Sequence, residues 1–232
     1  MKNTQLVSVV WLLCLALTSS LASAQFGGLS KKSLLGGGSG STASGGQSWK
    51  QLAKDFKKSR GEISNELQVQ ALLSADIAEA LGLKSEAEGI RGEAKSLEEK
   101  GDVLGSGDLN AIGDKSAATN NLIKNKLASA ENLTEDQKEA LSKAAKKYAP
   151  SLLRTIKTAG VVKDAVSAIS SLGAPKFTDG KAAISAAKAI PSVGPAIIKL
   201  TAGVVKQGSD LMSLMKTKGV ATPKTSGLDF GM

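Results

Sequence analysis

A six-residue string that occurs twice constrains the fold of this 232-residue chain more than any other feature. Residues 158–163 and 201–206 both read TAGVVK, at an offset of 43 positions. The same offset relates five further pairs of identical residues: Asp136 and Asp179, Lys138 and Lys181, Ala140 and Ala183, Ser142 and Ser185, and Ala144 and Ala187. This agreement indicates an internal duplication. Two copies of one short unit are expected to pack together, because neither buries enough apolar surface alone.

Each copy is predicted to form a helical hairpin. Thr134 followed by Gln137 has the spacing of a capping box, which starts the first helix. Pro150 is expected to separate the two helices of the first hairpin, and Pro191 and Pro195 mark the corresponding elbow of the second. Two such hairpins would pack as a four-helix unit.

The repeated string carries a glycine in each copy, Gly160 and Gly203. A glycine costs a helix interior about 1 kcal/mol relative to alanine. We therefore expect both glycines to mark places where a neighbouring helix comes close.

The composition favours an all-α fold. Aromatic residues make up only 3% of the chain, and a packed sheet demands more aromatic and β-branched residues. Trp49, Leu52 and Phe56 recur at helical spacing and open an amphipathic segment. We therefore predict an all-α helical bundle with a tandem helical-hairpin repeat, preceded by a flexible Gly/Ser-rich tether.

The predicted organisation has five parts. Residues 1–24 are read as a signal peptide, residues 25–46 as a disordered Gly/Ser-rich linker, and residues 220–232 as a flexible tail. Between the linker and the tail lie an amphipathic helical region, 47–132, and the repeat, 133–219, whose copies span 133–175 and 176–219.

The signal peptide is predicted from its three-part pattern. Lys2 precedes an apolar run over residues 6–17, and Ala22-Ser23-Ala24 has the small residues that signal peptidase requires. A membrane anchor is the alternative, but a spanning helix needs about 20 apolar residues and this run has 12. We expect cleavage before Gln25 and export, to the periplasm in the first place, with secretion as the alternative.

This chain lacks the residues that most enzymes use for catalysis. The chain has no histidine, and its one cysteine, Cys14, lies within the signal peptide. The usual metal ligands, the usual base near neutral pH and the thiol nucleophile are therefore missing from the mature chain. We expect no catalytic residue, no metal and no cofactor. An enzyme that uses only Asp, Glu, Lys, Ser or Tyr148 is a remote alternative.

Positive charge concentrates in the C-terminal part, where residues 137–232 carry fifteen basic and five acidic residues. The candidate contacts with an anionic surface cluster around Pro150: Lys138, Lys143, Lys146, Lys147 and Arg154. The alternative is that these side chains only solubilise the bundle or pair with the acidic region 61–136. Nucleic acid is not an expected partner, because aromatic stacking platforms are scarce.

These patterns predict a non-enzymatic, exported protein of the bacterial cell envelope that binds a partner protein or an apolar or anionic envelope component. Peripheral membrane association is compatible with this function. The alternative is a membrane-active or secreted effector whose Ala/Gly/Val-rich hairpins insert in lipid.

Overall fold

The first helix begins at Trp49, where the Ser48 side chain caps it by accepting a hydrogen bond from the backbone N–H of Gln51 at 3.3 Å. The structure is a computed structural model that describes residues 48–223. Within that range it contains five α-helices, two 3-10 turns and no strand, so the all-α prediction is confirmed. The predicted signal peptide, the linker 25–46 and the end of the tail, 224–232, lie outside the described residues.

The five helices are α1 (Trp49–Ala80), α2 (Lys84–Lys100), α3 (Ser106–Ser129), α4 (Glu135–Leu172) and α5 (Gly180–Thr217), with 3-10 turns at Gly101–Val103 and Phe177–Asp179. The amphipathic segment that starts at Trp49 is one continuous helix. Gly61 does not interrupt it, whereas Gly82, with a φ of 81°, follows its end. The capping box of Thr134 and Gln137 is present at the start of α4.

Helix α1 is the centre of the bundle. It packs against α2, α4 and α5, while α3 packs mainly on α5. Its buried side carries large apolar side chains, including Leu52, Phe56 and Ile63. The indole of Trp49 donates a hydrogen bond to the Gly173 carbonyl at 3.1 Å, which ties the start of α1 to the end of α4. The amphipathic region and the repeat region therefore share one core.

The predicted hairpins are wrong, because each copy of the repeat is a single helix of 38 residues. Pro150 lies inside α4, and Pro191 and Pro195 lie inside α5. A proline within a helix deprives the carbonyl four residues earlier of its N–H partner. All three prolines are exposed, so water can satisfy those carbonyls, while buried neighbours such as Leu152 hold the helix against the bundle. Tertiary packing thus outweighs the local preference.

The prediction for the repeated glycines is also wrong. A Cβ atom added at Gly160 or Gly203 would meet nothing within 4 Å. The close approach occurs instead at Gly194 and Gly208 of α5. A Cβ at Gly194 would lie 2.5 Å from the Val166 side chain of α4, so glycine allows α4 and α5 to pack closely there.

The segment after α5 is anchored where it begins. Val220 is buried, and the Ser142 hydroxyl donates to the Ala221 carbonyl at 2.7 Å. The tail was expected to be flexible from residue 220, yet its first residues pack against α4.

Replacing Pro150 with alanine should raise the free energy of unfolding by about 1 to 2 kcal/mol. A proline in a helix interior costs about 3 kcal/mol relative to alanine. Alanine also gives the unfolded chain more conformational freedom, which reduces the expected stabilisation by up to about 1 kcal/mol. Urea unfolding measures the change. Pro175 lies between α4 and α5 and serves as the control, so Pro175→Ala should be neutral or slightly destabilising. Equal, small effects of both substitutions would contradict a continuous α4.

Candidate functional site

Two of the five predicted cationic contacts form ion pairs within their own helix. Lys138 Nζ lies 2.7 Å from Glu135 Oε1, and Lys143 Nζ lies 2.6 Å from Glu139 Oε1. The hydrogen bond from Lys143 lowers the pKa of the Glu139 carboxyl. Both pairs are exposed, and such pairs contribute little to stability.

Arg154 joins two helices. Its guanidinium forms two hydrogen bonds with the Glu66 carboxylate of α1, one of them at 3.2 Å between Nη2 and Oε2. This hydrogen bonding is the main reason why the pKa of Arg154 is raised. Arg154 therefore lies between α1 and α4 and already has an anionic partner.

Lys146 and Lys147 differ from the other three. Both are exposed on α4, and neither has an ion-pair partner among residues 48–223. Lys157 of α4 shares these two properties. It follows Lys146 by about three helical turns, so Lys146, Lys147 and Lys157 lie on one side of α4. We call these three lysines the basic face. Lys157 was not in the predicted set.

A row of polar side chains joins α1 to α4, which run antiparallel. The residues on α1 are spaced by four positions: Glu62, Glu66, Gln70 and Ser74. The Thr158 hydroxyl donates to Glu62 at 3.2 Å, and the Ser151 hydroxyl donates to Glu66 at 2.6 Å. This row was not predicted, although its four-residue period is visible in the sequence.

Gln70 is the most buried member of the row, with 4% of its surface exposed. Its Nε2 donates to Thr155 Oγ1 at 2.8 Å and to Ser151 Oγ at 3.2 Å. Its carbonyl oxygen, Oε1, has no hydrogen-bond partner within the described part of the chain. Both donors of the amide are satisfied and its acceptor is not.

A cavity of about 160 Å³ is lined by residues of α1, α2 and α3 and by Tyr148 of α4. Its polar lining residues include Gln70, Ser74, Ser96, Ser116 and Thr119. Its apolar walls are Leu67, Ile90, Leu97, Ala111 and Ile112.

Two ion pairs bridge α2 and α3 at the rim of this cavity. Lys100 Nζ lies 2.5 Å from Asp108 Oδ1, and Lys115 Nζ lies 3.2 Å from Glu93 Oε1. The hydrogen bond from Lys100, followed by that from the Gly105 backbone N–H, lowers the pKa of Asp108. Each cation at the rim is thus matched by an anion.

Tyr148 lines the same cavity and is almost fully buried. Burial raises its pKa to about 12, although a hydrogen bond with Ser74 opposes that shift. The phenol therefore stays protonated at neutral pH and can donate a hydrogen bond, but it is not poised to act as a base. In the described range, no group of three or more His, Cys, Asp or Glu side chains could hold a metal ion.

One helical segment, Phe177–Thr217, is long and apolar enough to cross a membrane by length and composition. It comprises the second 3-10 turn and α5, and α5 packs against α1, α3 and α4. A core helix of a bundle passes the same test, so the segment does not by itself indicate a membrane protein.

No known protein family matches the chain, and no curated protein sequence or solved structure is significantly similar to it.

Proposed function

We propose that this protein is a non-enzymatic helical bundle of the cell envelope that associates with anionic envelope components through its basic face. The observation that carries the proposal is that Lys146 and Lys147 remain exposed, adjacent and without an ion-pair partner among the described residues. The other lysines predicted near them are neutralised by glutamates one turn away.

Charge and packing support this proposal together. Each lysine held near an anionic leaflet contributes about 1 kcal/mol, so the three lysines of the basic face contribute about 3 kcal/mol without insertion. The basic face lies on α4, which is held against α1 by the polar row and by buried apolar side chains. The lysines are therefore presented by a preformed surface.

The compartment is proposed from the sequence of residues 1–24, which carry the signal-peptide pattern. Export to the periplasm makes anionic lipid headgroups and anionic envelope polymers the available partners. Recovery of the protein from the cytoplasm with Met1 retained would contradict this part of the proposal.

The second candidate function is membrane insertion, which the apolar α5 favours. Insertion would withdraw buried side chains such as Ile190 and Ile197 from the bundle core. It would also carry Lys199, Pro191 and Pro195 into lipid. Surface association requires neither change, and we therefore prefer it.

Co-sedimentation with vesicles tests the proposal. The protein should bind vesicles that contain phosphatidylglycerol at low salt and should be released near 1 M salt, where the Debye length is about 3 Å. Replacing Lys146 and Lys147 together with glutamine should weaken binding by about 10-fold to 30-fold, because about 2 kcal/mol is lost.

A double variant of equal charge is the control. Lys84 and Lys95 are exposed on α2, a different helix from the one that carries the basic face, so replacing both with glutamine should change binding little. Equal losses in the two double variants would show that only net charge matters. Failure to bind anionic vesicles at low salt would remove the proposal, and salt-resistant binding to neutral vesicles would favour insertion.

A further inference from the structure

Helices α4 and α5 carry the two copies of the repeat, so equivalent residues of the two helices differ by 43 positions. One face of α5 is covered by α3. Gln207 on this face accepts a hydrogen bond from Asn120 Nδ2 of α3 at 3.0 Å. A Cβ added at Gly113 of α3 would lie 3.2 Å from the Leu200 side chain. Val204 lies between Leu200 and Gln207 on the same face and is only 2% exposed, so this face of α5 is an interior helix contact.

The equivalent face of α4 has no helix packed on it within residues 48–223. The residues at the equivalent positions are Lys157, Val161 and Asp164, and all three are exposed. Val161 is 42% exposed, although its counterpart in α5 is Val204. Leu153, one turn before Lys157, is 43% exposed. The repeat therefore places on the surface of α4 a face that its copy in α5 buries.

This open face consists of six residues that lie on one side of the helix, and we call it the α4 stripe: Leu153, Lys157, Gly160, Val161, Asp164 and Ala168. Neither of its two charged side chains forms an ion pair with another described residue. A Cβ added at Gly160 would meet nothing within 4 Å, so packing within the described chain does not require a glycine there.

The α4 stripe is complementary to itself when two copies of α4 cross antiparallel about a twofold axis between Gly160 and Val161. Lys157 then faces Asp164 of the partner subunit, and Asp164 faces Lys157 of the partner subunit. Val161 faces Gly160 of the partner subunit, so a branched side chain meets the residue that has none. A parallel crossing would place each charge beside its own copy, which is unfavourable.

We propose that the α4 stripe is a docking surface for a second copy of this protein, in a twofold-symmetric antiparallel dimer. A single helix face supplies the contact, so its area lies at the low end of protein interfaces, where association is weak and reversible. The composition agrees with that, because Lys157 and Asp164 replace the Leu200 and Gln207 of the buried copy. A face that is exposed in the free monomer needs such charges to remain soluble.

Sedimentation equilibrium of the purified protein between about 10 μM and 1 mM measures the equilibrium between monomer and dimer. Lys157→Asp makes both charged positions of the α4 stripe negative, and Asp164→Lys makes both positive. Each variant alone should dimerise about 10-fold to 30-fold more weakly than the native protein, because two ion pairs become two contacts between like charges.

An equal mixture of the two variants separates pairing from every other effect of the substitutions. In a heterodimer the negative positions of Lys157→Asp face the positive positions of Asp164→Lys. The mixture should therefore dimerise with an affinity within about 3-fold of the native one. Each substitution changes the formal charge of +9 by only two units, so both variants stay positive and non-specific attraction does not arise.

Gly160→Gln tests the close approach of the two helices. The variant should fold at least as stably as the native protein, because the position is open and glutamine is the better helix former. Its side chain would clash with Val161 of the partner subunit and should weaken dimerisation by about 10-fold. Gly89→Gln is the matched control, since Gly89 is an equally open glycine on α2, and it should leave dimerisation unchanged.

Three results would overturn the proposal: a native protein that stays monomeric up to about 1 mM, single charge variants that dimerise as the native protein does, or a mixture no stronger than its components. The first result would leave the α4 stripe to a different protein or to lipid. Lys157 belongs both to the α4 stripe and to the basic face, so dimerisation is measured without vesicles and can fail independently of the vesicle test.

Discussion

Replacing Gly208 with alanine is expected to destabilise the protein by about 2 kcal/mol, because overpacking a core forces its neighbours to shift. An added Cβ would lie 2.6 Å from the ring of Tyr148 and 2.8 Å from a methyl of Leu152. Both of these α4 side chains are buried, so any shift has to be accommodated within the bundle core. Chemical unfolding in urea gives the change in the free energy of unfolding.

Gly203 provides the control for this substitution, since it lies in the same helix five positions earlier. No atom would come within 4 Å of an added Cβ there. Gly203→Ala should therefore stabilise the protein by about 0.5 to 1 kcal/mol, the ordinary gain of alanine over glycine in a helix. If both substitutions stabilised the protein to the same degree, the close packing of α5 on α4 at Gly208 would be refuted.

Alkaline pH should weaken the fold through Tyr148. Burial raises the pKa of its phenol from 10.0 to about 12 in the folded protein. The folded state thus favours the neutral phenol, and its contribution is fully present below pH 10. That contribution is lost as the pH rises from 10 to about 12 and amounts to about 2 to 3 kcal/mol, since one pKa unit corresponds to about 1.4 kcal/mol.

Tyr148→Phe separates this effect from the titration of the lysines. The variant should lose the hydrogen bond with Ser74 at every pH but should show a smaller fall in stability between pH 9 and pH 12. The measurement is the urea midpoint at several pH values across this interval. Identical pH dependence in the two proteins would show that the Tyr148 phenol is accessible to water in the folded state.

The sequence was sufficient to predict an all-α fold and where α1 and α4 begin, but not how the repeat folds. Apolar spacing from Trp49 onward predicted α1, and the pair of Thr134 and Gln137 predicted the start of α4. Those signals are local, as helix capping and amphipathicity are. Pro150 is also a local signal, but it was outweighed by packing on both sides of it, which depends on residues far away in the sequence.

The contacts at the candidate sites also differ in whether local sequence spacing could have predicted them. Glu135 and Glu139 lie three and four positions before Lys138 and Lys143, so the sequence alone could have identified those ion pairs. The partner of Arg154 is Glu66, 88 positions away, and no local spacing indicates it. The unpartnered carbonyl of Gln70 requires knowledge of the whole bundle, because only the fold shows which atoms lack partners.

The central position of α1 affects the order in which the molecule can assemble. Its bonds to α4 join residues 81 to 124 positions apart, so α1 must wait for most of the described chain before its buried side is covered. Contacts of such long sequence separation form late, since the chain must first close a large loop. The packing of α1 on α4 is therefore completed only after α4 has been synthesised, whereas its packing on α2 involves neighbouring parts of the chain.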